Sequence, residues 1–185
     1  MKISQEFVVE RPPQEVWNFF QDVPAVANCL PGAELADVKE DGSYEGKLSV
    51  KLGPMTAAFE GTATITPDEP NMSAKIEGKG VDKQGGSRGQ VSVVYTIVEE
   101  AAGSKVDIDA DVTLSGPAAQ FGRTGLINEM SKRLIGDFVT CIEGKLGAKT
   151  EEEADSFKAK EVNGIALFFS SLWSWIKKLF GGSRE

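Results

Sequence analysis

The sequence predicts an α+β domain in which a curved antiparallel sheet grips one long C-terminal helix, with an amphipathic tail helix behind it. Two observations carry this prediction. Apolar and polar residues alternate with period two from Glu34 to Ser115, and the period becomes helical after Gly116-Pro117. A sheet with one apolar face needs a covering element, and a helix with an apolar stripe supplies it.

The chain begins with one strand and two short helices. Residues 3–10 alternate as a strand. Pro13 and Glu15 then suit the first turn of a helix, where proline needs no N–H and a carboxylate meets the positive end of the helix dipole. A second helix is predicted from Pro24 to Cys29, and Leu30-Pro31-Gly32 ends it because proline restricts the residue before it.

Turn signals divide the following residues into about six antiparallel strands. The signals are Asp41-Gly42, Gly53-Pro54, Glu69-Pro70-Asn71, Gly85-Gly86 and Ala102-Gly103. Within the strands, the apolar sets alternate with charged or small polar residues, so one face is apolar and the other faces water. The two clearest apolar sets are Tyr44, Gly46, Leu48, Val50 and Leu52, and Val106, Ile108, Ala110, Val112 and Leu114.

One helix of roughly 20 residues follows the strands. Its apolar stripe comprises Leu126, Ile127, Met130, Leu134, Phe138, Cys141, Ile142 and Leu146. Gly147 and the acidic run after it predict a helix end and a loosely structured linker. The predicted plan is a core domain over residues 1–146, a flexible linker over 147–160 and a hydrophobic tail over 161–185.

The inward face of the middle strands carries many very small residues. These are Ala57, Gly61, Ala63, Ala74, Gly78, Gly80 and Gly89. A close-packed interior needs large side chains opposite such positions, and the long helix offers few. A pocket between sheet and helix is therefore predicted. Its predicted walls are Phe20, Leu48, Val50, Phe59, Gly61, Ile76, Gly78, Val93, Tyr95, Leu126, Met130, Leu134 and Phe138.

A second interpretation of the same residues stays open. Glycines also allow a strongly bent sheet to coil around its helix, and they then mark bulges and not a ligand site. The pocket is favoured because we expect no polar groups on that face. A void there would be dry and apolar, of the kind that takes up a hydrophobic ligand.

Composition argues against several functions. The net charge is −8, and the basic residues are scattered among carboxylates, whereas a nucleic-acid binder needs a dense basic face. The chain has no histidine, which excludes a histidine base, a Ser-His-Asp triad and a histidine metal site. The row Asp107, Asp109 and Asp111 lies on the phase that faces water. A non-catalytic protein without a metal is the prediction.

The two cysteines and the N-terminal residues indicate the cellular compartment of the protein. Cys29 and Cys141 are far apart and lack CxxC spacing, so they are interpreted as buried free thiols. The first residues lack the apolar run of a signal peptide and lead straight into a strand pattern. A cytoplasmic protein is therefore expected.

The C-terminal tail predicts a helix lying in a membrane interface. The run from Val162 to Ile176 carries no charge, but it falls short of the roughly 20 residues that span a bilayer. Its apolar residues and the following cations fit the headgroup region. The predicted membrane contacts are Ile165, Phe168, Phe169, Leu172, Trp173, Trp175, Ile176, Lys177, Lys178, Leu179 and Phe180. Burial on a partner or on its own domain is the alternative.

Several of these residues also carry a resemblance. The matching marks are Phe7-Val8-Val9, Pro13, Val16-Trp17, Asp22, Leu30-Pro31-Gly32-Ala33, and above all Ser115-Gly116-Pro117-Ala118-Ala119-Gln120-Phe121-Gly122-Arg123. Over residues 1–146 the chain resembles the carbon monoxide dehydrogenase G-subunit family, within the START-like (SRPBCC) lipid-binding superfamily.

The resemblance implies a helix-grip fold with an apolar cavity. It also implies a non-catalytic accessory role in electron transport, beside a molybdenum carbon monoxide dehydrogenase complex on the inner face of the cytoplasmic membrane. A bound menaquinone or ubiquinone, and no covalent cofactor, fits this role. The alternatives are a membrane anchor or assembly factor with an empty cavity, or a START-like cyclase or hydrolase. For the turn from Gln120 to Arg123, gating of the cavity mouth, partner contact and simple helix initiation all stay open.

Overall fold

The computed structural model describes residues 1–53, 55–123, 126–148 and 150–158. The strands are β1 (Lys2–Val9), β2 (Ala33–Val38), β3 (Tyr44–Leu52), β4 (Met55–Asp68), β5 (Ser73–Asp82), β6 (Ser87–Glu100) and β7 (Gly103–Ser115). The α-helices are α1 (Pro13–Gln21), α2 (Val23–Cys29), α3 (Leu126–Gly147) and α4 (Glu151–Ser156), and 3₁₀ turns span Glu69–Asn71 and Gly116–Arg123.

The seven strands form one antiparallel sheet in the order β1-β7-β6-β5-β4-β3-β2. The strands from β2 to β7 make a meander, and β1 adds to its far edge along β7. The predicted turns lie between these strands, and the last of them ends at Gly103, the first residue of β7. Gly42, Gly53, Gly86 and Gly103 have positive φ angles there, which glycine adopts without a steric penalty. The predicted curved sheet with a long C-terminal helix is confirmed.

The helices begin where the sequence indicates. α1 has proline in its first turn and Glu15 near its N-terminus. The side chain of Asp22 accepts a hydrogen bond from the backbone N–H of Ala25 at 3.0 Å and so caps α2. The buried residues of α1 are Val16, Trp17 and Phe20, so this helix closes one end of the sheet with its aromatic face.

A disulfide joins Cys29 at the end of α2 to Cys141 in α3, with their Cα atoms 5.4 Å apart. The prediction of two free thiols is therefore wrong, although both residues are buried as expected. The residues lie 112 positions apart, and only packing of α2 against α3 brings them together. Connectivity of this kind leaves no local signal in a sequence.

The segment predicted as a loosely structured linker contains α4. The Thr150 hydroxyl accepts a hydrogen bond from the backbone N–H of Glu153 at 3.2 Å and caps this helix. Phe157 then lies against α3, since a Cβ atom on Gly144 would come within 2.4 Å of its ring. Its carbonyl oxygen is 3.7 Å from Cys141 Sγ. The chain thus folds back onto α3 beside the disulfide.

Two apolar clusters lie at opposite ends of the inner sheet face. The larger cluster gathers Phe7, Trp17, Phe20, Tyr95 and Phe138, with the disulfide among them. Its rings make edge contacts, such as Phe20 with Phe138 at a centroid distance of 5.9 Å. The smaller cluster is built on Leu52, Ala57 and Ala118. The space between the clusters is where the sheet and α3 leave room.

Candidate functional site: an apolar cavity

A cavity of about 510 Å³ lies between the sheet and α3. This size falls within the range of small-molecule sites in proteins, about 300–1,000 Å³. Residues along β4 and β7 run from one cluster through the cavity to the other. On β7, for example, Val106 belongs to the larger cluster, Ala110 and Val112 line the cavity, and Leu114 packs against the smaller cluster.

Many of the predicted lining residues are brought together on the walls. Those that line the cavity are Leu48, Val50, Phe59, Gly61, Gly78, Val93, Met130 and Leu134. They come from β3, β4, β5, β6 and α3, which places the cavity where the small residues of the middle strands predicted it. The side chain of Leu126, also predicted to line the cavity, lies outside the described residues.

Four predicted lining residues lie elsewhere. Phe20, Ile76, Tyr95 and Phe138 belong to or pack against the larger apolar cluster. Alternation identifies the face of a strand but not the position along it. Ile76 and Tyr95 occupy the correct face of their strands, at the end that α1 closes. Phe20 on α1 packs there against Tyr95 and against Phe138 on α3. Burial raises the pKa of Tyr95 above its ordinary value, at which the phenol is already neutral near physiological pH.

Sequence reasoning missed a second group of lining residues. It includes Ile3, Gln5, Ala27, Val91, Ile108, Ala110, Val112, Leu114, Ile127, Ser131 and Ile135, and also polar and charged residues of β2 to β6 such as Glu34, Tyr44, Glu45, Lys47 and Lys79. The β7 members belong to an inward set that the alternation had already identified. β1 lies on the cavity wall because it pairs with β7, which the sequence did not predict. This pairing places Ile3 opposite Ala110 and Gln5 opposite Ile108.

The glycines of the middle strands have both roles that the sequence left open: some permit the geometry of the sheet, and others leave volume for the cavity. Gly61 faces Gly80 across β4 and β5, and a Cβ atom on Gly61 would lie 1.9 Å from the carbonyl oxygen of Lys79. The two backbones therefore approach too closely for any side chain there. Gly89 differs, because a Cβ atom would meet only Leu114 and Phe59 side-chain atoms at 3.5 Å. Gly61 permits the sheet geometry, whereas Gly89 leaves volume unfilled.

The cavity wall is mainly apolar, but it is not wholly so, which corrects the expectation of a face without polar groups. Gln5 follows the inward phase of β1, where Ile3, Phe7 and Val9 are buried. Ser131 on α3 lines the same cavity, and so does Tyr44 on β3. The missed signal in β1 is a glutamine at an inward position of an alternating strand.

Charged side chains of the sheet and its turns form ion pairs, and some of these residues, among them Lys47 and Glu34, also line the cavity. Lys47 pairs with Glu34 at 3.0 Å, and Lys83 with Glu60 at 2.6 Å. On β7 the predicted outward row includes Asp107, which pairs with Lys105 at 3.0 Å. Within the described part of the chain, no group of three or more potential ligands could hold a metal ion.

The predicted membrane contacts lie outside the described residues. They are Ile165, Phe168, Phe169, Leu172, Trp173, Trp175, Ile176, Lys177, Lys178, Leu179 and Phe180. Among the helices that the structure does describe, none is both long and apolar enough to cross a bilayer.

Filling the cavity should abolish most of its binding capacity. Ala63 lines the cavity from β4, so Ala63→Leu places additional methyl groups in open space. We expect binding of a fluorescent naphthalene probe to weaken about tenfold, since overfilling a site costs about 1–3 kcal/mol. Thr64→Leu on the exposed face of the same strand is the control. Equal affinities in fluorescence titrations of the two variants would contradict a binding cavity at this place.

Solved structures with this architecture come from several bacteria. A conserved protein of Geobacillus kaustophilus has a TM-score of 0.65 at 19% identity, covering 79% of this chain and 93% of that chain. A Thermus thermophilus protein has a TM-score of 0.56 at 14% identity, covering 76% and 95%. The Zhui aromatase/cyclase from Streptomyces sp. R1128 has a TM-score of 0.57 at 13% identity, covering 80% and 93%. At these identities the likeness concerns the fold alone.

A comparison with curated proteins gives no match. The family described as the carbon monoxide dehydrogenase G subunit (CoxG) matches residues 6–147, which include every strand from β2 to β7 and the whole of α3. This match agrees with the resemblance that the sequence carries around Gly116-Pro117. Because it covers well over half of the chain, the protein belongs to the CoxG family, that of the carbon monoxide dehydrogenase G subunit.

Proposed function

We propose that this protein is a non-catalytic accessory of a molybdenum carbon monoxide dehydrogenase, and that it binds a membrane quinone or lipid and links the enzyme to the cytoplasmic membrane. The observation that carries the proposal is the apolar cavity of about 510 Å³ inside the part of the chain that matches the family. A cavity of this size and lining suits an oily molecule better than a polar substrate.

The physical need for such a carrier follows from the cost of exposing hydrocarbon to water. Each methylene group of an isoprenoid chain costs about 0.8 kcal/mol when it leaves an apolar environment. A quinone therefore does not pass unaided from a bilayer to a water-soluble enzyme. The space between sheet and α3 offers a sheltered position for its ring and for part of its chain.

The membrane step of the proposal rests on the sequence of residues 161–185. Eight large apolar residues from Ile165 to Ile176 would each lose about 1.5–3 kcal/mol of burial free energy if left in water. A bilayer interface covers them, and Lys177 and Lys178 suit the anionic headgroup region. In this proposal the protein is peripheral on the cytoplasmic side of the membrane.

The absence of histidine supports the non-catalytic part of the proposal. Besides the ion-paired residues Glu34, Glu45 and Lys47, and Lys79, the cavity lining includes the amide of Gln5, the hydroxyl of Ser131 and the phenol of Tyr44. The last three are hydrogen-bonding groups of uncharged side chains, so they suit recognition of a ligand better than proton transfer to or from it.

Solvent extraction tests whether the protein carries a ligand, and sedimentation with vesicles tests whether it docks on a membrane. We expect protein purified from its own host to release a prenyl quinone or another lipid, detected by mass spectrometry in near-stoichiometric amount. A variant lacking residues 161–185 should still bind added quinone but no longer sediment with anionic vesicles. Ala63→Leu is the matched control, and it should sediment with vesicles while carrying little ligand. A wild-type extract free of lipid, together with no uptake of added quinone, would leave only an anchoring role.

A further inference from the structure

We propose that Gln5 and Ser131 hold the polar end of the ligand, and that this end is a neutral carbonyl or hydroxyl group. The inference deepens the proposed function and rests on it, because it assumes that the cavity takes an oily molecule. It assigns an orientation within the cavity: the polar end lies at the wall formed by β1 and α3, and the apolar remainder lies along the small residues of β4 and β5.

Gln5 occupies a position that sequence alternation reserves for apolar side chains. Its neighbours on the same phase of β1, Ile3 and Phe7, are buried, and Ile108 lies opposite it on β7. Residues at outward positions of this strand, such as Ser4 and Glu6, meet β7 side chains at the surface. The glutamine therefore projects to the inner face, where it lines the cavity.

The side-chain amide of Gln5 makes no hydrogen bond with the residues that the structure describes. An amide carries two N–H donors and a carbonyl acceptor, and leaving such groups unsatisfied in an apolar environment is costly. Gln5 is half-buried, and its amide is accessible from the cavity and not sealed within the core, so it can bond to a molecule bound there. A polar atom of a bound molecule would satisfy this amide.

Ser131 supplies complementary hydrogen-bonding capacity from the opposite layer. Its hydroxyl donates to the backbone carbonyl of Ile127 at 2.8 Å, so its oxygen keeps its lone pairs for another donor. A ligand carbonyl can accept from the Gln5 amide, and a ligand hydroxyl can also donate to Ser131. Both partners are neutral, and both lie on wall elements held by the core.

The charge distribution argues for a neutral ligand. The cations among the lining residues, Lys47 and Lys79, lie on β3 and β5, whereas Gln5 and Ser131 lie on β1 and α3. Lys47 is moreover paired with Glu34 at 3.0 Å. A carboxylate or phosphate buried at the Gln5 wall would need a cation beside it, since a buried charge without a partner is strongly unfavourable. The inferred ligand class is an apolar molecule with a quinone, ketone or alcohol group, in preference to a fatty acid or phospholipid.

Two probes that differ only in their oxygens test this assignment. Menadione and 2-methylnaphthalene have the same carbon skeleton, and only menadione carries carbonyl groups. We expect Gln5→Leu to lower the preference for menadione, measured as the ratio of the two Kd values, about threefold to tenfold relative to wild type. Gln84→Leu makes the same change in an exposed turn and should leave the ratio unaltered.

Two further variants support the test. Gln5→Met serves if Gln5→Leu does not fold, and Ser131→Ala should change the ratio for an alcohol probe pair, 2-naphthalenemethanol against 2-methylnaphthalene.

Three results separate the possible failures. If wild type binds neither probe, the proposed function itself fails. If it binds both and the ratio stays constant in the Gln5 variants, the assignment of Gln5 is overturned. A ratio that changes only in Tyr44→Phe places the polar end at β3 and also overturns it.

Discussion

Replacing Gly61 by alanine should destabilise the protein far more than the same change at Gly89. At Gly61 the new methyl group would lie 1.9 Å from the Lys79 carbonyl oxygen and 2.6 Å from the Cα atom of Gly80. Both are backbone atoms, so only a rearrangement of the β4–β5 pairing relieves the overlap. We expect a loss of about 2–4 kcal/mol in the free energy of unfolding, measured by urea denaturation.

Gly89→Ala is the matched control for this prediction. Its methyl group would meet side-chain atoms of Leu114 and Phe59 at ordinary contact distance, 3.5 Å. Stability should change by less than about 1 kcal/mol, because the strand geometry is retained and added volume lies toward the cavity. Equal losses in the two variants would show that neither glycine is distinguished by backbone approach.

Breaking the disulfide should have an effect of similar size on stability. The bond between Cys29 and Cys141 closes a loop of more than 100 residues, and such a cross-link restricts the unfolded chain. Reduction should lower the free energy of unfolding by about 2–5 kcal/mol. The measurement is urea denaturation with and without dithiothreitol, monitored by tryptophan fluorescence.

The double variant Cys29→Ala with Cys141→Ala is the control for reduction. It should unfold at the same urea concentration in both buffers, at or below the midpoint of the reduced wild type. Because both sulfur atoms are buried, the reductant needs time to act, so samples are incubated in denaturant before refolding. A reduced wild type as stable as the oxidised protein would rule out any stabilising role for this bond.

The sequence predicted the fold well because each signal there is local. Alternation identified the strands, glycine and proline marked the turns, and the stripe from Leu126 to Leu146 identified α3. The cavity followed from the same pattern, since small residues at inward positions of β4 and β5 leave volume. These inferences need only the spacing of apolar residues along the chain and the sizes of the side chains.

The features that the sequence did not predict depend on contacts between residues far apart in the chain. The disulfide requires α2 to pack against α3, and no spacing rule anticipates it. The misplacement of Phe20, Ile76, Tyr95 and Phe138 has a similar origin, because the end of the sheet that α1 closes is a matter of tertiary arrangement. Gln5 could have been noticed from its inward phase, but its significance appears only when β1 joins the cavity wall.

The contact of Phe157 with α3 sets the greatest distance that can separate the folded domain from a surface contacted by residues 161–185. The ring lies on Gly144, so residue 157, near the end of the described chain, lies beside the disulfide. Only residues 158–164 separate it from Ile165, and a fully extended chain of that length reaches roughly 25–30 Å. If residues 161–185 bind a bilayer as proposed, the domain lies no farther than about this distance from the bilayer surface, and a ligand crosses only a short gap between membrane and cavity.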